Sequence, residues 1–214
     1  MKNRTPVRVI DSSSSDFPAV LRDDKGNALW RRIWAMGNID LLNQRLLGFF
    51  CSNRCPGEVI LRVYDLARQL RAAGVAVIGG FHSAMEKECL DLLLQGKQPI
   101  VICPARSIEQ MRIPAVWRKQ IEQKQLLIVS PFEQQHRRPT KALAEQRNRL
   151  VASLASDIFV AHAAPNSKME QLCQELAQAG TQLFTLDCME NAGLVALGAK
   201  SVHACEIFDQ RNTR

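Results

Sequence analysis

The sequence predicts an α/β protein of the Rossmann-like, doubly wound type, with a mostly parallel sheet and helices on both faces. Two observations predict this fold class. Short runs that are almost entirely apolar recur along the chain, which is typical of strands covered on both faces. Segments with apolar residues at helical spacing separate these runs, and several end at a glycine. Such alternation favours parallel strands joined by right-handed crossovers.

Six apolar runs are predicted as strands: residues 46–50, 75–78, 99–103, 126–129, 157–161 and 182–186. Four segments are predicted as helices: residues 58–72, 84–95, 140–154 and 167–179. In the first helix, Val59, Val63 and Leu66 recur at near-helical spacing, and Gly74 follows as a stop signal.

The chain of 214 residues suits one domain, or one domain with a small appendage. We predict a flexible lead-in over residues 1–15 and an extension over 16–45 that packs on the core through Trp30, Ile33, Trp34 and Met36. Residues 46–205 are predicted to form the Rossmann-like domain, and residues 206–214 a C-terminal tail.

The composition is typical of a globular protein, with 46% apolar and 23% charged residues. No window reaches the ~18–20 uninterrupted apolar residues of a membrane span, and the N-terminus leads into serines rather than an apolar signal core. We therefore expect a cytoplasmic protein without a membrane partner, whose seven cysteines are mostly buried thiols. Cys51 and Cys55 lack a second ligand pair, so neither a metal nor another cofactor is expected.

The net charge of +7 is concentrated in two segments. Residues 1–54 carry nine basic and five acidic side chains, and residues 106–149 carry ten basic and four acidic ones. A positive field of this kind favours polyanions, above all nucleic acid. A solvated basic surface that only aids solubility is the equally open alternative.

Polar and basic residues follow the predicted strands, where ligands bind in sheets of this kind. The candidates for phosphate contacts at these ends are Ser52, Asn53, Arg54, Gly80, His82, Ser83, Arg106, Ser167 and Lys168. Hydroxyls, cations and amides at helix N-termini suit phosphate oxygens, although serines there also serve as plain helix caps. His82 and Glu86 could form an acid–base pair, but we expect no catalytic residue.

The densest basic feature is predicted to contact nucleic acid through Arg137, Arg138, Lys141, Arg147, Asn148 and Arg149. Arg147 and Arg149 lie about 200° apart on a helix, so they cannot share one face. One is expected to face the ligand while the other braces the sheet, and Arg147, which follows Glu145 and Gln146, is the expected exposed one.

The order of these motifs resembles the DNA-processing protein A (Smf) family, over about residues 16–202. The most specific similarity is Gln146-Arg147-Asn148-Arg149-Leu150, which follows the family's "RNRI" segment. Other matches are residues 16–21 to "YP..L", 37–42 to "GN..LL", 49–54 to "IVGSR", 80–86 to "GLARGID", 166–168 to "SGS" and 194–199 to "LI..GA".

The resemblance implies a non-enzymatic protein that binds single-stranded DNA, forms a homodimer and helps to load a recombinase onto DNA during transformation. A nucleotide-sensing module that holds a free nucleotide and regulates a partner is the second hypothesis. A nucleoside monophosphate phosphoribohydrolase, as in the "lonely guy" relatives, is the third and weakest, because the motif P-G-G-x-G-T-x-x-E has no counterpart. The Rossmann dinucleotide fingerprint and the P-loop are also absent.

Overall fold

A computed structural model describes residues 5–23 and 25–202. Their strands are β1 Arg8–Asp11, β2 Arg32–Gly37, β3 Leu47–Phe50, β4 Val77–Gly79, β5 Ile100–Ile102, β6 Leu126–Ser130, β7 Asp157–Val160, β8 Leu183–Leu186 and β9 Lys200–Val202. Their helices are α1 Gly57–Ala72, α2 Ala84–Leu93, α3 Ala115–Glu122, α4 Lys141–Leu154, α5 Lys168–Gln178 and α6 Ala192–Ala196. In this described part, no helix has the length and apolar character needed to cross a membrane. The predicted tail at 206–214 and residues 1–4 of the lead-in lie outside the described residues.

The strands and helices belong to two compact units. Of the described residues, the first unit contains 5–23, 25–46, 76–80 and 99–155, and the second contains 47–75, 81–98 and 156–202.

In the first unit, the strands lie in the order β1-β2-β6-β5-β4. β4, β5 and β6 are parallel, whereas β2 pairs antiparallel with both β1 and β6. Every residue of β4, β5 and β6 is buried, which explains why these strands are apolar except for Ser130 at the end of β6. α4 packs against β4, and α3 packs against β6 and β2.

In the second unit, the strands lie in the order β3-β7-β8-β9, and all neighbouring pairs are parallel. α1 packs against α2, and the apolar face that its helical spacing predicts is buried, including Val63, Leu66 and Leu70. Phe49 lies at the centre of the core, where its ring centroid is 6.3 Å from that of Phe81 and 5.6 Å from that of Phe159.

The predicted fold class is confirmed, and all six predicted strands and four predicted helices are present within a residue or two of their expected bounds. The pattern does not predict β1, β2, β9, α3 or α6. The anchors Ile33, Trp34 and Met36 are buried as expected, but they belong to a strand of the sheet. The boundaries proposed for the lead-in, the extension and the main domain remain predictions.

Gly37, the last residue of β2, is constrained by a close approach of backbone to backbone. Its φ is +117°, and a Cβ at this position would lie 2.3 Å from the carbonyl oxygen of Leu126. We expect Gly37→Ala to lower the free energy of unfolding by about 2–5 kcal/mol, since both backbone strain and overpacking oppose it. Urea denaturation measures this loss.

Gly26 provides the matched control for Gly37, because its φ is also positive (+81°) but no atom would lie within 4 Å of an added Cβ. Gly26→Ala is expected to lose only the contribution of backbone strain, about 1–2 kcal/mol. Equal losses for the two variants would contradict the steric explanation.

Candidate nucleic-acid interface

Two loops of the first unit are joined so that two of the predicted DNA-binding arginines share one cavity. Arg106 follows β5, and Arg137 lies in residues 131–140 between β6 and α4, which we call the basic loop. The Ser107 N–H donates to the His136 carbonyl oxygen (2.8 Å), and the Ser130 hydroxyl donates to the Arg106 carbonyl oxygen (2.8 Å). Arg106 and Arg137 line one cavity of about 180 Å³.

A larger, open cavity of about 580 Å³ lies where the basic loop enters α4. Arg137 and Arg138 line it, and Lys141 is exposed at the first residue of the helix. The Thr140 hydroxyl accepts the Leu143 N–H (3.2 Å) and thereby caps the helix. The N-terminus of this 14-residue helix carries a positive partial charge, so the surrounding cations and the helix both favour an anion here.

Arg147 is a buried brace in the first unit and not an exposed ligand contact. Its side chain is 5% exposed, and its Nη1 donates to the Cys103 carbonyl oxygen (3.2 Å) at the end of β5. The guanidinium also lies against Gly80, where a Cβ would be 1.3 Å from Nη1. Any larger residue than glycine at position 80 would therefore overlap the arginine.

The expectation that Arg147 is the exposed arginine is wrong, because Arg149 is the exposed one and Asn148 is half-buried. The apolar face of α4 explains the error. Leu143, Leu150 and Leu154 are buried, and position 147 falls on the same face by helical spacing. The polar neighbours Glu145 and Gln146 carry no information about that face.

In the second unit, the ends of β3 and β7 bring Ser52 and Ser167 together, with their hydroxyl oxygens 3.5 Å apart. The Ser52 N–H donates to the His162 carbonyl oxygen (2.9 Å), and its hydroxyl oxygen accepts the Ala164 N–H (3.0 Å). Ser167 caps α5 by accepting the Glu170 N–H (3.2 Å). Three further candidates are exposed nearby in sequence: Asn53 and Arg54 after β3, and Lys168 at the first residue of α5.

A buried carboxylate accepts hydrogen bonds from the backbone amides around the start of α2. Glu86 is 5% exposed, and it accepts N–H groups from Cys51 (3.1 Å), His82 (2.8 Å) and Ser83 (2.9 Å). Ser83 completes a capping box by accepting the Glu86 N–H (3.1 Å). A phosphate at these amides would have to displace the carboxylate. Glu86 bonds the backbone of His82, and the imidazole side chain is exposed.

The six cysteines of the described chain are free thiols, and most are buried. A hydrogen bond from Cys51 holds the pKa of the half-buried Cys55 below its usual range, while the same bond and burial raise the pKa of Cys51. Burial raises the pKa of Cys89, Cys103 and Cys173 to about 12. Among residues 5–23 and 25–202, no cluster of three or more His, Cys, Asp or Glu side chains is arranged to hold a metal ion.

A family model described as DNA recombination-mediator protein A matches residues 8–188, which is most of the chain. The chain belongs to this family. The resemblance to DNA-processing protein A that the motifs predict is thereby confirmed. A search among curated protein sequences finds no match.

Solved structures support the fold. DNA processing protein A from Streptococcus pneumoniae has a TM-score of 0.76 and 17% identity, over 94% of this chain and 73% of that chain. The protein of the same name from Helicobacter pylori, whose structure is described as giving insight into a unique single-stranded DNA binding mode, has a TM-score of 0.73 and 18% identity, over 98% and 97%. The molybdenum cofactor binding protein of Rippkaea orientalis is more distant, with a TM-score of 0.55 and 9% identity, over 79% and 98%. At these identities the likeness concerns the fold.

Two features of the site were missed at the level of sequence. The role of Glu86 has a clear local signal, since Ser83-x-x-Glu86 is a capping-box pattern before an apolar helix. The cavity shared by Arg106 and Arg137 has no local signal in the sequence, because it depends on a hydrogen bond between two loops that are distant in sequence.

The contact between Gly80 and Arg147 is testable by a double-mutant cycle. Arg147→Ala is expected to lower the free energy of unfolding by about 1–3 kcal/mol, because the Cys103 carbonyl loses a donor. Gly80→Ala alone is expected to cost a similar amount by overpacking. In the double variant most of the Gly80→Ala cost should disappear, since the guanidinium no longer occupies the space.

Arg149→Ala is the control for this cycle and should change stability by less than about 0.5 kcal/mol. Strictly additive losses of unfolding free energy for Gly80→Ala and Arg147→Ala would show that a Cβ at position 80 and the Arg147 guanidinium do not compete for space.

Replacing the buried carboxylate should be more costly than replacing an exposed one on the same helix. Glu86→Gln puts an amide NH₂ where a carboxylate oxygen accepts backbone N–H groups, so we expect a loss of about 1–3 kcal/mol in thermal or urea unfolding. Asp91→Asn, exposed on α2, should be nearly neutral. An equal effect of both substitutions would refute the assigned role of Glu86.

Proposed function

We propose that the chain binds single-stranded DNA through the first unit, using the basic loop, Arg106 and Lys141. The observation that carries this proposal is that Arg106 and Arg137 line the same cavity although they belong to different loops. A guanidinium donates in a planar fork that fits phosphate oxygens, and two such groups around one cavity suit a phosphodiester. The relative from Helicobacter pylori, whose structure is described in terms of single-stranded DNA binding, supports the choice of polymer.

The basic loop offers phosphate contacts without a pattern that would distinguish one base from another. Arg138 and Lys141 extend the positive surface beyond the Arg106–Arg137 cavity to the start of α4. Contacts of this kind follow the backbone and are largely independent of sequence. We therefore expect binding without marked sequence preference.

In the second unit, we propose Asn53, Arg54 and Lys168 as additional phosphate contacts beside Ser52 and Ser167. Asn53 and Arg54 are exposed in the loop after β3, and Lys168 is exposed at the first residue of α5. His82 of the second unit is exposed and remains a proposed phosphate contact. In the first unit, exposed Arg149 and half-buried Asn148 remain proposed contacts to the DNA backbone. Gly80 and Arg147 are proposed to act indirectly, by holding the end of β4 and the end of β5.

We infer a binding role rather than a catalytic one, with a recombinase as protein partner and a homodimer as the assembly. Membership in a family described as recombination mediators supports this inference. The free thiols of the described residues fit a reducing cytoplasm, which we propose as the location. The nucleotide-sensing alternative is not favoured by any of the comparisons.

The contribution of Arg137 can be measured through the salt dependence of binding. For a single strand, the slope of log K against log salt changes by about 0.7 for each phosphate contact. Arg137→Ala should therefore weaken binding to oligo(dT) and reduce the slope by about 0.7, with unchanged thermal stability. Fluorescence anisotropy at several salt concentrations measures both the affinity and the slope.

Arg68→Ala is the matched control, because Arg68 is exposed on α1, pairs with Asp65 (2.7 Å) and is not among the proposed contacts. It removes the same charge and should leave the slope unchanged. Absence of any binding by the wild-type chain at micromolar concentration and ~50 mM salt would overturn the proposed function.

A further inference from the structure

A third cavity of the first unit adjoins the basic loop at its other end. It has a volume of about 200 Å³ and is lined by Trp30, Arg31, Arg32, Trp34, Pro131 and Glu133. The sheet register explains why these residues meet. Trp34 lies opposite Ser130 in the antiparallel pair of β2 and β6, so the residues just before β2 lie beside those just after β6.

This cavity and the Arg106–Arg137 cavity are lined by successive residues of one loop. Glu133 lines the first, whereas Gln134 and Arg137 line the second. A turn connects them, in which the His136 N–H donates to the Glu133 carbonyl oxygen (3.0 Å). Glu133 and Arg137 are only four residues apart along the loop, so a strand held by Arg137 would pass near the Trp30 cavity.

The lining of this cavity suits a flat aromatic group better than a phosphate. Trp30 is half-buried and supplies an indole surface, and Pro131 adds apolar area. Of the two arginines in the lining, Arg32 is paired with Asp11 (3.2 Å), and the positive charge of Arg31 is offset by the negative charge of Glu133. Glu133 repels phosphate, whereas a carboxylate can accept a hydrogen bond from the amino group of a base.

We propose that the Trp30 cavity is a nucleobase subsite of the single-stranded DNA site. A base stacks on the Trp30 indole while Arg106 and Arg137 hold a neighbouring phosphate. The assignment rests on the proposed function, because it needs a strand bound at the basic loop. It adds a stacking contact, which gives affinity without dependence on salt, to the electrostatic contacts already described.

The test compares Trp30→Leu and Trp30→Phe with the wild-type chain, using oligo(dT) of about 4 to 16 nucleotides. Trp30→Leu keeps an apolar side chain but removes the aromatic face, and is expected to weaken binding at least about fivefold, with an unchanged salt slope. Trp30→Phe should restore most of the affinity. Trp117→Leu, a half-buried tryptophan on α3, is the matched control and should bind like the wild type.

Replacing bases of the oligonucleotide by abasic sites tests the proposal on the wild-type chain, whatever the stability of the variants. At least one position should lose affinity when its base is removed. Equal affinity of fully based and abasic strands would overturn the proposal, as would wild-type binding by Trp30→Leu.

Two other results would also be decisive. Unchanged DNA binding with a shift from dimer to monomer in sedimentation of Trp30→Leu would assign the cavity to contact between copies of the chain and overturn the base subsite. A wild-type chain that binds no strand at all would instead refute the proposed function, so the two failures are distinguishable.

Discussion

The contact of the Arg147 guanidinium with Gly80 and with the Cys103 carbonyl is the constraint on which the first unit's site depends. β4 and β5 end at this point, and the Cys103 N–H also donates to the Gly79 carbonyl oxygen (2.9 Å). Arg106 follows only three residues later, so the position of its loop is set by this contact. Burying an arginine is costly unless its guanidinium is hydrogen-bonded. Conformations in which Arg147 stays buried but loses the Cys103 carbonyl are therefore disfavoured.

The second unit uses a buried charge of opposite sign for a similar purpose. Glu86 gathers three backbone N–H groups near the end of β3 and the start of α2, and Ser52 accepts a fourth from Ala164. Polar backbone groups at these strand ends are therefore satisfied internally. Among the cationic side chains that follow these strands, Arg54 and Lys168 are exposed.

Local pattern was sufficient to predict most of the fold. Fully apolar runs identify the buried parallel strands, and helical spacing identifies α1, α2, α4 and α5. The strand β2 carries the same signal, since residues 33–36 are apolar and buried, but its antiparallel pairing with β1 and β6 has no local signature. The same helical spacing places Arg147 on the buried face of α4, and it is a better guide to burial than the polar character of Glu145 and Gln146.

The candidate site was predictable only in its residue types. Basic side chains near strand ends indicate an anion site, but which of them meet depends on the hydrogen bond between Ser107 and His136 and on the register of β2 with β6. Both are long-range properties of the sheet, so no window of sequence contains them.

The fit of a guanidinium against a bare α-carbon also has an evolutionary consequence. Positions 80 and 147 compete for one volume, so a substitution at either alters which residues the other tolerates. Across the family they should covary, with arginine at the helical position retained only where the strand-end position is glycine. Chains that carry a side chain at the strand end should have a smaller residue on the helix.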